Sequence, residues 1–282
     1  MFLSPNILGI LFGLASAFVW GSGDFTGGYA SRSRSQFHVV LLSAFSGLLV
    51  LIVAALLWRE TFPSIPSIFW AALAGATGGL GLTAFYRALS MGHNTTIAPT
   101  TAVISAAMPV VFSAFTQGLP SPTQLLGFGL AFGGIWLVSR APTAGGGVSR
   151  QGFLLACLAG AGFGGFFIFM GQVELGKILT PLIISRGVTL GVGLLLVKFN
   201  HLPLPSLTSN RLPLLGGVLD AGGNLFFILS KQFTRLDIAA VISSLYPVST
   251  VLLAYLILKE KVSLAQWIGV LLCLAAIGLI IN

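Results

Sequence analysis

Four charged side chains lie inside long apolar segments of this sequence: Asp24, Arg87, Arg186 and Asp220. A charge in a membrane interior costs at least about 2.5–3.5 kcal/mol on insertion scales, so each one needs a partner or a wet cavity. The chemistry such groups could do is the binding of ions or charged substrates. Their positions make them candidate ion pairs, Asp24 with Arg87 and Arg186 with Asp220. A purely structural pair is the alternative for Asp24, and Arg186 could instead extend its side chain to the membrane surface.

Asp220 lies deepest in its apolar segment, about nine residues from the start, and Asn224 follows one turn later on the same helical face. A carboxyl group at that depth could exchange protons as a cavity alternates between the two sides of a membrane. Asp220 is therefore the candidate for coupling transport to protonation. A structural hydrogen bond or ion pair with Arg186 is the competing interpretation.

Uncharged residues that are unusual in an apolar helix lie at about the same depth in other segments. Trp20 lies near the middle of the first apolar segment beside Gly21, where it either packs or forms a cavity wall. Pro99, Pro109 and Pro247 lie inside two further segments, and each proline removes a backbone hydrogen-bond donor. Interruptions in corresponding helices are a sequence pointer to a transport site. The predicted cavity residues are Trp20, Gly21, Asp24, Tyr86, Ser105, Pro109, Asp220, Asn224, Ser243, Tyr246 and Pro247.

Residues for other kinds of chemistry are sparse. The sequence holds three histidines and two cysteines, and none has metal-ligand spacing or belongs to a Ser-His-Asp grouping. We predict no catalytic residue, no metal site, no cofactor and no enzymatic activity. The net charge of +8 comes from basic residues scattered at segment ends rather than clustered, so no nucleic-acid partner is expected.

The elements that must position these residues are membrane helices. Hydrophobic residues make up 56% of the chain and charged residues 7%, with a mean hydropathy of +1.00. A soluble domain carries roughly a quarter charged residues. A segment of about 20 apolar residues crosses the hydrocarbon core as a helix. We predict an all-α integral membrane protein with ten transmembrane helices at 6–29, 37–58, 67–90, 95–117, 123–139, 151–172, 179–197, 212–231, 237–258 and 263–281.

The chain carries an internal repeat. Val103-Ile104-Ser105 followed by Pro109 matches Val241-Ile242-Ser243 followed by Pro247, and Ser121-x-x-Gln124-x-x-Gly127 matches Ser263-x-x-Gln266-x-x-Gly269. We predict a first repeat at 1–138, a linker at 139–150 and a second repeat at 151–282. Five crossings per repeat give the two copies opposite topology, which is typical of secondary transporters with the substrate site between the repeats.

Glycines cluster in the third and eighth spans, as Gly78-Gly79-x-Gly81, Gly216-Gly217 and Gly222-Gly223. Small residues let helices approach closely in lipid, so we predict helix crossings there, with hinges or points of close approach for a moving substrate as the alternative. Polar, glycine and proline irregularities concentrate in spans one, three, four, six, eight and nine. These six spans are predicted to line the cavity.

The sequence resembles the drug/metabolite transporter superfamily, EamA type, over nearly its whole length. The resemblance rests on Trp20-Gly21-Ser22-Gly23-Asp24-Phe25, Pro109, Pro247, and Glu260-Lys261 with Gln266 and Gly269 before Ile277-Gly278. The sequence departs from the pattern at Gly118-Leu119-Pro120-Ser121-Pro122, where the family commonly has an acidic-basic pair. The resemblance implies a secondary carrier for small metabolites, often an exporter of amino acids or amphipathic compounds.

The leading hypothesis is an exporter of small metabolites such as amino acids, working by alternating access in the plasma (inner) membrane as a multi-pass protein. An exporter of drugs or lipophilic cations, using Asp24 or Asp220, is the alternative, and a non-transporting membrane scaffold or enzyme is a third. The expected partners are a small-molecule substrate, the lipid bilayer and protons as the coupling ion.

Two arguments disagree about sidedness. Connections after odd-numbered spans carry eight lysines and arginines and those after even-numbered spans four, leaving aside Arg87 and Arg186. The positive-inside rule then places both termini outside. The family resemblance implies cytoplasmic termini.

Overall fold

In a computed structural model, residues 4–31, 35–90, 94–140, 149–206 and 211–281 are described, and they form helices without any strand. The helices are α1 (Pro5–Ser31), α2 (Gln36–Trp58), α3 (Ile65–Ser90), α4 (Asn94–Thr116), α5 (Pro122–Val138), α6 (Arg150–Gly171), α7 (Leu179–Phe199), α8 (Arg211–Phe233), α9 (Leu236–Ser243), α10 (Tyr246–Ile257) and α11 (Leu264–Ile281).

The helix ends follow the predicted spans closely because polar caps and breakers flank each apolar run. Ser121 begins α5 with a reciprocal capping box, in which its hydroxyl accepts from the Gln124 N–H and its own N–H donates to the Gln124 side chain. Within the described ranges nine helical segments are long and apolar enough to cross a membrane, counting α9 and α10 as one segment. The 17-residue α5 is a shorter apolar helix.

The two proline-containing segments differ. The expected interruption in span four is absent, because α4 continues through Pro99 and Pro109 from residue 94 to residue 116. The second segment is broken as expected, since α9 ends at Ser243 and α10 starts at Tyr246. Pro247 lies in the first turn of α10, where its missing N–H costs nothing.

The two halves of the chain interleave rather than lie side by side. α1 packs along α8, α3 along α6 and α5 along α11, while α2 packs against both α7 and α8. Glycines make these crossings possible, as predicted for the third and eighth spans. A Cβ atom at Gly217 would overlap the Ser43 carbonyl, and one at Gly81 would press on Gly162. The interior between the halves is therefore bounded by residues from both.

The bundle has two ends, which we name by their connections. The α2–α3, α4–α5, α6–α7 and α8–α9 connections meet at one end, the latch end, where hydrogen bonds join them. The α7–α8 connection meets the start of α2 at the other end, the far end. A buried apolar cluster fills the half towards the latch end, and its members include Phe167, Met170, Leu182, Phe227 and Leu236.

Candidate functional site

A cavity of about 130 Å³ lies at mid-depth between the two halves. Helices α1, α3, α4, α6, α8 and α10 contribute to its wall, as do four residues of α7. Its wall has a charged part and an aromatic part. The described lining residues are Trp20, Asp24, Gly78, Leu82, Phe85, Ser105, Phe163, Phe166, Phe167, Leu182, Ser185, Arg186, Thr189, Asp220, Asn224 and Tyr246.

The charged part centres on a contact between Arg186 and Asp220. An Nη atom of Arg186 donates to Oδ2 of Asp220. Arg186 is 7% exposed and packs beside Gly47 of α2, so it points inward and does not extend to the membrane surface. The Asp220 side chain keeps 37% of its area exposed. Asn224 lies one turn further on and donates to the backbone carbonyl of Asp220 at 2.7 Å.

Asp24 lies on the same wall and is exposed. Within the part of the chain that the structure describes, its carboxylate has no hydrogen bond or ion pair. Its pairing with Arg87 stays a prediction. Arg87 is exposed near the end of α3 and has other interactions. The cavity thus presents two carboxylates and one guanidinium, with a single carboxylate available to a ligand.

The aromatic part of the wall holds rings from α1 and α6, and Phe227 of α8 packs against them without lining the cavity. The Trp20 ring lies 5.6 Å from Phe167 and 6.1 Å from Phe227, measured between centroids. Gly223 makes room for the indole, because a Cβ atom there would overlap the ring. Trp20 therefore packs and also forms cavity wall, so the two interpretations of this residue are compatible.

Gly21 acts one layer behind the wall. A Cβ atom at Gly21 would overlap the Tyr246 carbonyl, and the Thr250 hydroxyl donates to the Gly21 carbonyl at 3.0 Å. This close approach of α1 to α10 sets the position of Tyr246 beside the cavity.

The structure brings together most of the predicted cavity residues that it describes. Trp20, Asp24, Ser105, Asp220, Asn224 and Tyr246 line the cavity, and so does Arg186. Gly21, Pro109, Ser243 and Pro247 lie outside its lining, and the last three are buried in helix packing. The Tyr86 side chain lies outside the described residues.

Sequence reasoning missed the contribution of α7. Ser185 and Thr189 lie one turn apart and face the cavity with Arg186 between them. The available signal was the spacing of these polar residues along one side of an apolar helix. The phenylalanines at 163, 166 and 167 were also missed, because aromatic residues in a membrane helix are usually explained by packing or by contact with lipid.

The cavity continues towards the far end of the bundle. Towards the far end a second, smaller pocket adjoins it, sharing Trp20, Asp24, Leu82 and Asp220 and adding Gly23, Val39, Ser43, Pro213 and Gly216. Towards the latch end the buried apolar cluster around Phe167 and Phe227 lies beneath it. Within the described residues, no group of three or more His, Cys, Asp or Glu could hold a metal ion.

Comparison with protein families identifies the kind of protein that carries this cavity. The sequence model of the EamA-like transporter family matches residues 7–140 and, a second time, residues 150–282. The chain belongs to the EamA-like transporter family. This membership confirms the predicted resemblance and makes the chain a multi-pass membrane transporter rather than an enzyme.

The fold also has a counterpart of known structure. A solved structure titled only "Crystal structure of protein" is 18% identical to this chain, with a TM-score of 0.74. The alignment covers 96% of this chain and 95% of the other. At that identity the likeness shows the shared fold alone. No curated protein matches the chain.

Proposed function

We propose that this EamA-like transporter is a secondary exporter of small amphipathic metabolites that carry an ammonium group, with amino acids as the leading class. The observation that carries the proposal is the Asp24 carboxylate, which has no ion pair among the described residues and faces a cavity that also holds Arg186, Asp220 and a wall of aromatic rings. Export is the direction implied by the resemblance to its superfamily.

A zwitterionic ligand would use both parts of the wall. Its ammonium group would bind the Asp24 carboxylate, and its carboxylate would share the Arg186 guanidinium with Asp220, because a guanidinium offers five N–H donors. Its apolar side chain would lie against the phenylalanines of α6. Such a site would bind a substrate that carries no net charge.

Cavity size favours a small ligand over a drug. The cavity measures about 130 Å³, below the roughly 300 Å³ at which pockets for drug-sized ligands begin. An exporter of lipophilic cations is the second candidate, because Asp24 and the Trp20 ring could hold a cation without Arg186. Dependence on Arg186 therefore separates the two candidates.

The test is efflux from proteoliposomes loaded with single amino acids or with a quaternary ammonium dye, measured in parallel. We expect amino-acid efflux that Asp24→Asn lowers by at least about tenfold, the effect of losing one charge-assisted contact with the substrate. Glu260→Gln is the matched control, because this carboxylate lies in the α10–α11 connection away from the cavity. Dye efflux that survives Arg186→Gln, without amino-acid efflux, would favour the second candidate.

Proton coupling through Asp220 is part of the proposal. The supporting observation is that Asp220 is partly exposed to the cavity while its charged contact among the described residues is Arg186, so protonation would release that arginine to a substrate. Under an imposed pH gradient we expect Asp220→Asn to lose gradient-driven transport but to retain exchange of substrate for substrate. Gradient-driven transport at the wild-type rate would remove Asp220 from the coupling step.

We also propose ten crossings as two inverted repeats, 1–138 and 151–282, joined by the linker 139–150 in the plasma membrane. The double match to one family model and the pairing of α9 with α10 as one crossing support this. Reporter fusions after Arg140 and at the C-terminus should report opposite sides of the membrane. The side reported at the C-terminus decides between the charge argument and the family resemblance.

A further inference from the structure

We propose that Glu60 is a positioning residue for transport: it holds the first turn of α7 from the opposite half of the chain, and its release opens the cavity at the latch end. The inference rests on the proposed alternating-access function but on none of the residues assigned to the substrate.

The contact is a helix cap supplied across the chain. α7 begins without a side-chain cap of its own at Ile178. The Glu60 carboxylate replaces it, since Oε1 accepts from the N–H groups of Ile178 and Leu179 at 2.6 and 3.3 Å, and Oε2 accepts from Thr180 at 2.8 Å. A carboxylate at a helix N-terminus satisfies unpaired donors and also interacts favourably with the helix dipole.

Side chains of the α6–α7 connection in turn bind the α2–α3 connection. Glu174, in the α6–α7 connection, accepts from the backbone N–H of Ser64 just before α3 at 2.9 Å. The Glu174 N–H in turn donates to the Ser67 hydroxyl at 3.1 Å. Lys177 of the same connection donates to the carbonyl and the hydroxyl of Thr61. The latch is this set: Glu60, Thr61, Ser64, Glu174 and Lys177.

Backbone geometry aims Glu60 at its target. Arg59 ends α2 in the left-handed region with φ of 52°, and this turns the chain directly after the helix. Non-glycine residues adopt this conformation only when the surroundings favour it. The turn closes α2, with the Arg59 N–H donating to the Ala55 carbonyl at 3.1 Å, and it places Glu60 next to the start of α7.

The latch lies where a moving part would need to be held. Behind it the apolar cluster of Phe167, Met170, Leu182 and Phe227 separates the cavity from the latch end. Arg186 and Ser185 stand about two turns further along the same α7 helix that Glu60 caps. Movement of α7 away from α2 and α3 would at once open the apolar cluster and shift the charged wall of the cavity.

The latch holds α7 to two helices of the other half, α2 and α3, which both pack along it. Other polar contacts at this end stay within one half or join different connections. Lys231 donates to the Val173 carbonyl, and Arg235 donates to the Gln117 and Gly118 carbonyls. Among the described contacts, the Glu60 carboxylate is the one that accepts hydrogen bonds from the first N–H groups of α7.

The experiment measures access from both ends in the whole protein, in nanodiscs so that a water-soluble thiol reagent reaches either end. In a background with Cys157→Ala and Cys273→Ala, one reporter is Val173→Cys, which is buried at the latch end. The other is Ser43→Cys, which lines the pocket towards the far end. Glu60→Gln is compared with Glu60→Asp and with Glu260→Gln, the carboxylate of the α10–α11 connection.

We expect Glu60→Gln to raise labelling at position 173 by about tenfold, the factor that corresponds to the loss of one strong helix cap, and to lower labelling at position 43. Glu60→Asp should restore part of the wild-type pattern, and Glu260→Gln should leave labelling at position 173 unchanged. A rise at both positions would show general loosening and overturn the proposal, as would no change at either. Because labelling needs no substrate, the result is independent of which compound is exported.

Discussion

The two ends of the bundle use similar backbone and different polar chemistry. The chain turns directly after α2 at Arg59, with φ of 52°, and shortly after α7 at His201, with φ of 50°. Each connection then docks on the helix start of the other half. At the latch end Glu60 accepts three N–H groups of α7, whereas at the far end His38 at the start of α2 meets the Pro203 carbonyl in one hydrogen bond of 2.9 Å.

We attribute the direction in which the cavity extends to this difference. A charge-assisted hydrogen bond is roughly twice as strong as a neutral one, and the latch end has several of them. The second pocket lies towards the far end, and the buried apolar cluster lies towards the latch end. If the two halves can rock against each other, the balance between the two orientations is set in the connections, where single substitutions can shift it.

The largest effect on stability should come from a feature that both ends share, the close approach of two helix backbones at a crossing. Cβ atoms at Gly75 and Gly217 would overlap the carbonyls of Ser185 and Ser43, one in the α3–α7 crossing and one in the α8–α2 crossing. Overpacking typically costs 1–3 kcal/mol, and backbone atoms cannot move aside as a flexible side chain can. Gly75→Ala and Gly217→Ala should therefore each lower the free energy of unfolding by about 3 kcal/mol. Thermal unfolding in detergent measures both.

The matched control is Gly129→Ala, since nothing lies within 4 Å of a Cβ atom there. Removing a glycine from an open helix position should leave stability unchanged or raise it by up to about 1 kcal/mol. If Gly75→Ala were tolerated and Gly217→Ala were not, the ends would differ in packing as well as in polar contacts, and the comparison would need revision.

The next effect concerns the ion pair between the ends. Asp220→Asn leaves Arg186 charged and 7% exposed, whereas Arg186→Met leaves Asp220 with a side chain that is 37% exposed. An unpaired charge costs more when it is buried than when it is exposed. Asp220→Asn should therefore destabilise the protein more than Arg186→Met does, by about 1–3 kcal/mol. The double variant should be more stable than Asp220→Asn alone. Equal losses in the two single variants would mean that the pair is solvated equally on both sides.

The helices could be predicted from the sequence because a membrane-spanning helix is recognisable from its apolar composition alone. Ten apolar runs gave helix limits that the structure reproduces within two residues at most ends. Proline was a weaker guide. α4 continues through Pro99 and Pro109, because the residues around them keep the remaining helical hydrogen bonds, whereas the break before Pro247 falls at Ser244 and Leu245.

The cavity was partly predictable and the latch was not. Intramembrane charges and a tryptophan at mid-depth pointed to Trp20, Asp24 and Asp220, which all line the cavity. Glu60 and Ile178 are 118 residues apart and lie in connections, where no hydrophobic period relates one residue to another. A contact of that kind depends on how the two halves pack, and local sequence carries no signal for it.

A smaller effect is expected from pH at the latch. The backbone N–H of Ser64, with its side chain, holds the pKa of Glu174 below its ordinary value of 4.5. A lowered pKa contributes stability above the ordinary value that is lost as the pH falls through the lowered one. The difference in thermal midpoint between the wild type and Glu174→Gln should stay constant from about pH 8 to pH 5 and close below 4.5. A difference that closed near neutral pH would place another titrating group in the latch.

The smallest effect should come from the far end. His38→Ala removes a single, exposed hydrogen bond to the Pro203 carbonyl, so the free energy of unfolding should fall by at most about 1 kcal/mol. Labelling of the Ser43→Cys reporter should then rise by less than about fivefold, while Glu60→Gln lowers it. If His38→Ala matched Glu60→Gln in size, with the opposite sign, the two docking contacts would be energetically equivalent. The direction in which the cavity extends would then have to arise from the aromatic packing around Trp20 and Phe167 rather than from the connections.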